Sequence, residues 1–555
     1  MTSPLDLPEI LLYIAPFILQ RDLISCVRVS RQWQRSFTPY IWRSFIVPED
    51  WSTCPNFPPM PILQKNAHFV RSLTLKASDG LAPFLQRCTG LKTFVLFGKH
   101  IETPNPELWA QFTDLIWQNP LMEWIVLGFG FDRTTAPSIA FLKALPLACP
   151  NLKRYESSRG KYDHPEQVEA LMQAVSRIKT VSSRYEYFVN IPSFKRWTFP
   201  HLFEMALKDA TGLSPGSQVD LVCQCPNLKL LKWTVGRETL FPVQDFCERV
   251  PAACPKLRQL HIDGCGLPDP EDIGRMLDTL SHMEQLVLCG SRITKRTFGC
   301  LGRHFETLQT VDIIDCFDVK SWMVQQILES CPNLTKLASP VLRMHDIVTG
   351  KDWAAVQLRH FQVNVERSHS MPESIEEHWA TFRQFSRLRW LQHLTVGSLK
   401  WTRRSGLLFR IDYGMDQLKS LTKLKILDLG GSCQRMDEGE VVWIGAHLDN
   451  LTKIEGIFSL DWERHLDLTM RLCELGLDVP EKDMPETFYG ESMSGDEEED
   501  GYGEEGEEGE EGEEEEEDDE YYDVYEEEDG QAEGGEETTT NAGTVESGSV
   551  DTAHE

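Results

Sequence analysis

Leu228-Lys-Leu-Leu231-Lys-Trp233, Leu257-Arg-Gln-Leu260-His-Ile262, Met283-Glu-Gln-Leu286-Val-Leu288 and Leu308-Gln-Thr-Val311-Asp-Ile313 are four copies of one pattern. An apolar anchor is followed by apolar residues three and five positions on. From Val70 to Ser459 the pattern returns about once every 27 residues. Side chains alternate along a strand, so each copy predicts a short strand with apolar residues inward and the intervening positions facing out. A unit this short cannot bury its own apolar face. It must stack on its neighbours, which predicts an α/β solenoid. The anchors read as Val70, Leu91, Met122, Leu152, Ile178, Leu202, Leu228, Leu257, Met283, Leu308, Leu334, Leu358, Leu391, Leu424 and Ile454. Segments between them, such as 272–280 and 321–329, read as helices. The interval from Val70 to Leu91 is short, and the two from Leu358 to Leu391 to Leu424 are long.

The net charge of −31 belongs to one end of the chain. Residues 491–555 hold 31 Asp and Glu and no Lys or Arg, which leaves 55 acids against 55 bases in residues 1–490. Periodicity stops near Pro480. Runs such as 503–512 have almost nothing to bury and repel themselves, so 481–555 is expected to be a disordered acidic tail. The 15 Cys come without the basic start and apolar run of an export signal, and no apolar stretch is long enough to cross a bilayer. The expectation is an intracellular protein of cytoplasm or nucleus, with free thiols and no membrane partner.

Residues 1–47 read as a separate helical block. Leu7, Ile10, Leu11 and Ile14 fall at helical spacing, with Pro8 just inside the first turn. A second helix is expected from Asp22 to about Trp33, followed by Ile41, Trp42 and Phe45. Five prolines between 48 and 61 then predict a stiff connector over 48–69, before a solenoid over 70–480.

Two resemblances follow from these residues. Leu7-Pro8-Glu9-Ile10-Leu11, Asp22-Leu23, Val29-Ser30-Arg31-Gln32-Trp33 and Ile41-Trp42, in that order, resemble an F-box. Pro16 departs from the family pattern and is expected at the break between the first two helices. Cys149-Pro-Asn-Leu152, Cys225-Pro-Asn-Leu228, Cys254-Pro-Lys-Leu257 and Cys331-Pro-Asn-Leu334, with Cys265 and Cys316 after the strands, resemble the cysteine-containing class of leucine-rich repeats. Together they look like the F-box/leucine-rich-repeat family over residues 5 to about 475. The resemblance implies a leucine-rich-repeat horseshoe behind a small all-α F-box. It also implies that the F-box binds the Skp-type adaptor of a cullin-RING ubiquitin ligase, and that the repeats hold an unknown protein substrate. By resemblance, Leu7, Pro8, Ile10, Leu23, Val29 and Trp33 face the adaptor.

No sequence feature points to catalysis or to a cofactor. Nucleophile elbows, phosphate-binding glycine loops and zinc-protease motifs are missing, and no cysteine pairs have duplicate metal-ligand spacing. The outward strand positions are more informative. Lys153, Arg154, Lys179, Lys229, Lys232 and Arg258, with Trp124 beside them, are expected on one face of neighbouring repeats. They fit an ordinary solvated face. They also fit a site for an acidic or phosphorylated segment of the substrate, or for the tail itself. No direct nucleic-acid contact is expected. The rival to the ligase reading is an acidic-tailed repeat protein that chaperones histones or other basic proteins. A GTPase-activating protein shares that layout but no motif.

Overall fold

The computed structural model describes residues 7–480, apart from 56, 77–79, 98–105, 129–135, 185–186, 189–193, 209, 211, 235–239, 264–268, 270, 368–373, 398–405 and 460. The expected acidic tail at 481–555 and the repeat cysteine Cys265 therefore lie outside the described residues.

Eighteen strands are described. They are β1 (Ser44–Val47), β2 (Ser72–Leu75), β3 (Thr93–Phe97), β4 (Trp124–Gly128), β5 (Arg154–Ser158) and β6 (Lys161–Tyr162). Next come β7 (Thr180–Arg184), β8 (Tyr187–Phe188), β9 (Glu204–Lys208), β10 (Leu230–Thr234), β11 (Gln259–Asp263) and β12 (Gln285–Cys289). The last are β13 (Thr310–Asp312), β14 (Lys336–Arg343), β15 (His360–Glu366), β16 (His393–Val396), β17 (Ile426–Cys433) and β18 (Lys453–Ile457). All but β6 and β8 form one 16-stranded sheet in chain order, and β6 pairs with β8 in a small sheet of its own. The pairings are parallel, as expected when each strand is followed by a crossover segment. The architecture is the α/β leucine-rich-repeat solenoid.

The register shows why the repeat works. Leu231, Leu260, Leu286 and Val311 are successive partners across β10 to β13, and all are buried. The anchors stack two residues before each strand and are buried as well. Ile454 is the exception to the expected set. It pairs with Leu427, so it holds the second apolar slot of its repeat, and Leu451 is the anchor there.

The Cys-Pro-Asn-Leu motif is a joint between helix and strand. Cys149, Cys254 and Cys331 each end a helix, at 139–148, 243–253 and 321–330, with non-helical backbone. The following proline prevents continuation. The asparagine reaches back to the preceding repeat. Asn227 Nδ2 donates to Pro200 O at 2.7 Å, and Asn333 Nδ2 donates to Glu306 O at 2.7 Å. In the variant copy Lys256 takes the Asn place and donates to Asn227 Oδ1 at 2.6 Å. The thiols face inward; Cys254 Sγ donates to Val222 O at 3.3 Å.

The irregular intervals have local causes. Among the described residues, the short one follows its strand with a single four-residue helix, Ala82–Leu85. The first long one holds the helix Ile375–Ser386, and the second holds 3-10 turns at Ile411–Tyr413 and Met415–Ser420. β5 and β7 carry Ser157 and Ser183 in the inner slot that holds Leu127 or Leu207 on flanking strands. Phe188 and Phe194 fill much of the space and leave an apolar cavity of about 40 Å³.

The N-terminal block consists of α1 (Pro8–Ile14), α2 (Gln20–Cys26) and α3 (Arg31–Ile41). Pro16 lies in a 3-10 turn between α1 and α2. The second helix stops at Cys26 rather than near Trp33. Ser30 caps a new helix there, its Oγ accepting from Trp33 N at 3.2 Å. Leu11, Ala15, Leu23 and Phe37 form a small core separate from that of the solenoid.

The expected connector needs correction. α3 ends at Ile41 and β1 begins at Ser44, so the sheet starts inside the stretch assigned to the block. Trp42 and Phe45 pack on the solenoid core. Within 48–69, α4 (Met60–Asn66) and its neighbours bury Leu63 and Ala67 in that core. The prolines shape the first repeat and do not merely space it from the block.

Candidate protein-interaction surfaces

The first surface is the helical block. Its core is closed, yet Leu7, Leu12, Tyr13, Phe17, Leu19, Ile24 and Val29 stay exposed, Phe17 at 78% and Tyr13 at 75%. The block is held together by polar ties as well. Tyr40 Oη donates to Leu12 O at 3.0 Å, and Gln20 Nε2 donates to Ile41 O at 3.2 Å. Of the residues expected to face a partner, Leu7, Pro8 and Val29 are exposed, and Ile10 and Trp33 are half-buried. Leu23 is corrected: it is a core residue at 4% exposure, because α2 turns it toward Phe37. The sequence reading missed Leu12, Tyr13, Phe17, Leu19 and Ile24. A helical wheel over 8–14 would have set Leu12 and Tyr13 off the Leu11 face.

The second surface is the outward face of the sheet. β4, β5, β7, β9, β10 and β11 are consecutive neighbours, so the seven expected residues, at all of these strands but β9, come together within a run of six. Lys153, Lys179, Lys229 and Arg258 occupy one column, one residue before each strand; Trp124 and Arg154 start their strands, and Lys232 sits mid-strand.

Three carboxylates that the sequence reading missed are interleaved with them. Glu123 takes both Lys153, at 2.6 Å, and Lys92, at 3.5 Å. The Lys153 contact, with help from Lys92, holds the Glu123 carboxyl below its usual range. Glu156 pairs with Arg154, and Glu204 lies 3.6 Å from Lys232. Counting from the anchors would have found them, since they stand one, four and two residues past Met122, Leu152 and Leu202.

Cations also cover the aromatics. The Arg154 guanidinium lies 4.8 Å from the Trp124 ring centre, and Lys229 Nζ lies 5.6 Å from that of Phe203. Arg258 Nη1 donates to Pro255 O, Leu257 O and Ser281 Oγ. Lys179 has no side-chain partner among the described residues. His261, next to Lys232, is neutral: burial, then Lys232 and Lys208, push it down to about 4.

The thiols are poor metal ligands as they stand. Burial pushes Cys149, Cys254 and Cys331 up to about 12 and raises Cys225 well above its ordinary value. Among the described residues no three His, Cys, Asp or Glu are grouped to hold a metal ion. Nor is any helix among them long and apolar enough to cross a membrane.

No protein-family model matches the chain. A curated protein of Arabidopsis thaliana, named for an F-box and LRR repeats, is 23% identical over 228 residues. The likeness is to the F-box/leucine-rich-repeat family. The match covers 41% of this chain and 45% of that relative, less than half of its length. Among solved structures, an LRR protein of Leptospira interrogans covers 76% of this chain and 98% of its own, at 12% identity and a TM-score of 0.39. An internalin of Listeria monocytogenes covers 76% and 89%, at 11% identity and a TM-score of 0.28. The F-box and leucine-rich repeats named in that relative match the two resemblances that the residues carry, and the long parallel sheet agrees with the second.

Proposed function

We propose that this chain is a substrate-recognition subunit of an SCF-type cullin-RING ubiquitin ligase. In this reading the helical block binds the Skp-type adaptor, which joins the cullin, and the sheet face holds a protein substrate. The chain performs no chemistry. It supplies proximity and orientation to a ubiquitin-charged enzyme. The observation that supports this most is the set of large apolar side chains left exposed on a block whose own core is already filled. Large apolar exposure on so small a block, with the Tyr13 and Phe17 rings 6.1 Å apart, fits a surface made to be covered. A cap for the solenoid has no use for it, because Trp42, Phe45 and α4 already close the first repeat.

The test is capture of the Skp-type adaptor by the full chain. Leu7→Ala with Pro8→Ala, and Phe17→Asp separately, are expected to abolish capture while thermal unfolding stays close to wild type. Equal capture by all three proteins refutes the reading. The second reading, a chaperone of histones or other basic proteins, draws on the 31 acids of residues 491–555. Salt-sensitive histone binding that needs those residues, with no adaptor capture, favours it.

A further inference from the structure

A cleft of about 400 Å³ lies where the helical block meets the first three strands. Its strand side is Arg43, Arg71 and Lys92, alternating with Ser44, Ser72 and Thr93. Its block side is Ala15, Pro16, Ile18, Gln20, Leu23 and Tyr40, and no carboxylate lines it. Arg71 is fixed in place: its Nη1 donates to His68 O at 2.9 Å, Gly90 O at 3.2 Å and Val70 O at 3.3 Å. Three cations line it with no carboxylate in the wall, and of the three Lys92 also lies 3.5 Å from Glu123.

The cleft is also the start of a longer feature. Arg71 N donates to Arg43 O, Lys92 N to Arg71 O, and Glu123 N to Lys92 O. The same ladder continues through Lys153, Lys179, Phe203, Lys229 and Arg258 before it reaches Glu284. One column therefore crosses nine neighbouring strands with seven cations and a single carboxylate, which Lys92 and Lys153 share. At about 4.8 Å between strands the column is about 38 Å long, which about 12 residues of extended chain would span.

We propose that this column, entered at the Arg43–Arg71–Lys92 cleft, is the docking track for an extended acidic segment of the protein substrate. Calling that partner a substrate rests on the ligase reading; the anion chemistry does not. The segment presents carboxylate or phosphoserine side chains to the cations, the charge-assisted pairing that planar guanidinium groups and ammonium groups favour. A single-stranded nucleic acid fits less well. Such strands use open aromatic platforms, and the Trp124 and Phe203 rings along the track lie under cations.

The test is fluorescence anisotropy with the full chain and three probes of matched length. They are a Glu-Ser repeat peptide of about 12 residues, the same peptide with phosphoserine, and oligothymidylate. Both peptides are expected to bind, with affinity that falls as salt rises. Tighter binding of the phosphopeptide assigns the track to phosphorylated segments, and equal binding assigns it to Asp- and Glu-rich ones. Arg43→Gln with Lys92→Gln should weaken either peptide by about tenfold or more, while Lys336→Gln with Lys453→Gln on far strands should not. Unchanged affinity in the first pair, or no peptide binding at all, overturns the proposal. So does oligothymidylate that binds more tightly than both peptides. Circular dichroism of each variant confirms the fold. Adaptor capture, read separately, reports on the ligase reading, so either can fail without the other.

Discussion

Trp233 Nε1 donates a 2.8 Å hydrogen bond to Gln218 Oε1, and both side chains are almost wholly buried. The indole fills an inner slot of β10, and the glutamine comes from the helix 215–223 of the preceding repeat. A second buried Trp–Gln bond, outside a strand, runs from Trp353 Nε1 to Gln325 Oε1 at 3.0 Å. A tryptophan too large for the usual leucine slot is admitted because the helix opposite supplies an acceptor. Gln218→Leu leaves the indole N–H unpaired and is expected to cost about 1–3 kcal/mol in urea unfolding. Adding Trp233→Phe should recover part of that loss. A double variant no better than Gln218→Leu alone would show that the bond contributes little.

Asn119 predicts a larger cost. Its Oδ1 accepts from Leu91 N at 2.7 Å, and its Nδ2 donates to Cys88 O at 2.7 Å and to Leu115 O at 2.8 Å, all buried. Asn119→Ala orphans groups in two repeats and should cost about 3 kcal/mol. Asn227→Ala removes two exposed bonds, one to Pro200 O and one from Lys256 Nζ, and should cost only about 1 kcal/mol. Calorimetric unfolding of both variants checks the ranking.

Thiol reactivity should divide by position. Cys149, Cys225, Cys254 and Cys331 are buried at repeat joints, and burial holds them as thiols well above neutral pH. The thiolate is the reactive form. Labelling at pH 8 followed by peptide mapping is expected to mark the exposed Cys473 quickly and those four only after denaturant is added.

Acid should weaken the fold through its histidines. His261 sits near 4 when folded and near its ordinary 6.5 when unfolded, so between those values the unfolded chain binds more protons. Stability is full above about pH 6.5 and falls as pH drops toward 4. His304, His360, His393 and His465 are lowered too, each mainly by burial, and act in the same direction. His261→Gln should shrink the difference in urea midpoint between pH 7.5 and pH 5. An unchanged difference would remove His261 as a contributor.

The solenoid was legible because its evidence is periodic. Each anchor from Val70 to Leu424 stacks where its spacing puts it, and each is buried. Ile454 failed for a simple reason: both the anchor slot and the second slot accept an isoleucine, and only pairing with Leu427 tells them apart. The proline count misled at 48–69 because a proline can open a helix as readily as it can stiffen a linker. Pro59 precedes α4 and Pro61 lies in its first turn. The sheet face was half legible. Four of its six expected cations stand one residue past an anchor, whereas Glu123, Glu156 and Glu204 stand at three different offsets and meet their partners only once the chain is folded. In the helical block, Leu23 carried the family motif but sits inside, and motif spacing alone does not distinguish a contact from a support.

Only two residues separate α3 from β1, and β1 opens a sheet whose strands keep chain order throughout. Every position on that sheet can therefore be located from the block by counting strands, at about 4.8 Å a step. The molecule behaves as a ruler with its zero mark welded to the block. Removing one whole repeat, for example 283–307, would leave each remaining column intact and shift everything beyond it by one graduation toward the block. Cargo gripped beyond the cut would then be presented about 5 Å nearer to whatever the block holds, with no change in the grip itself.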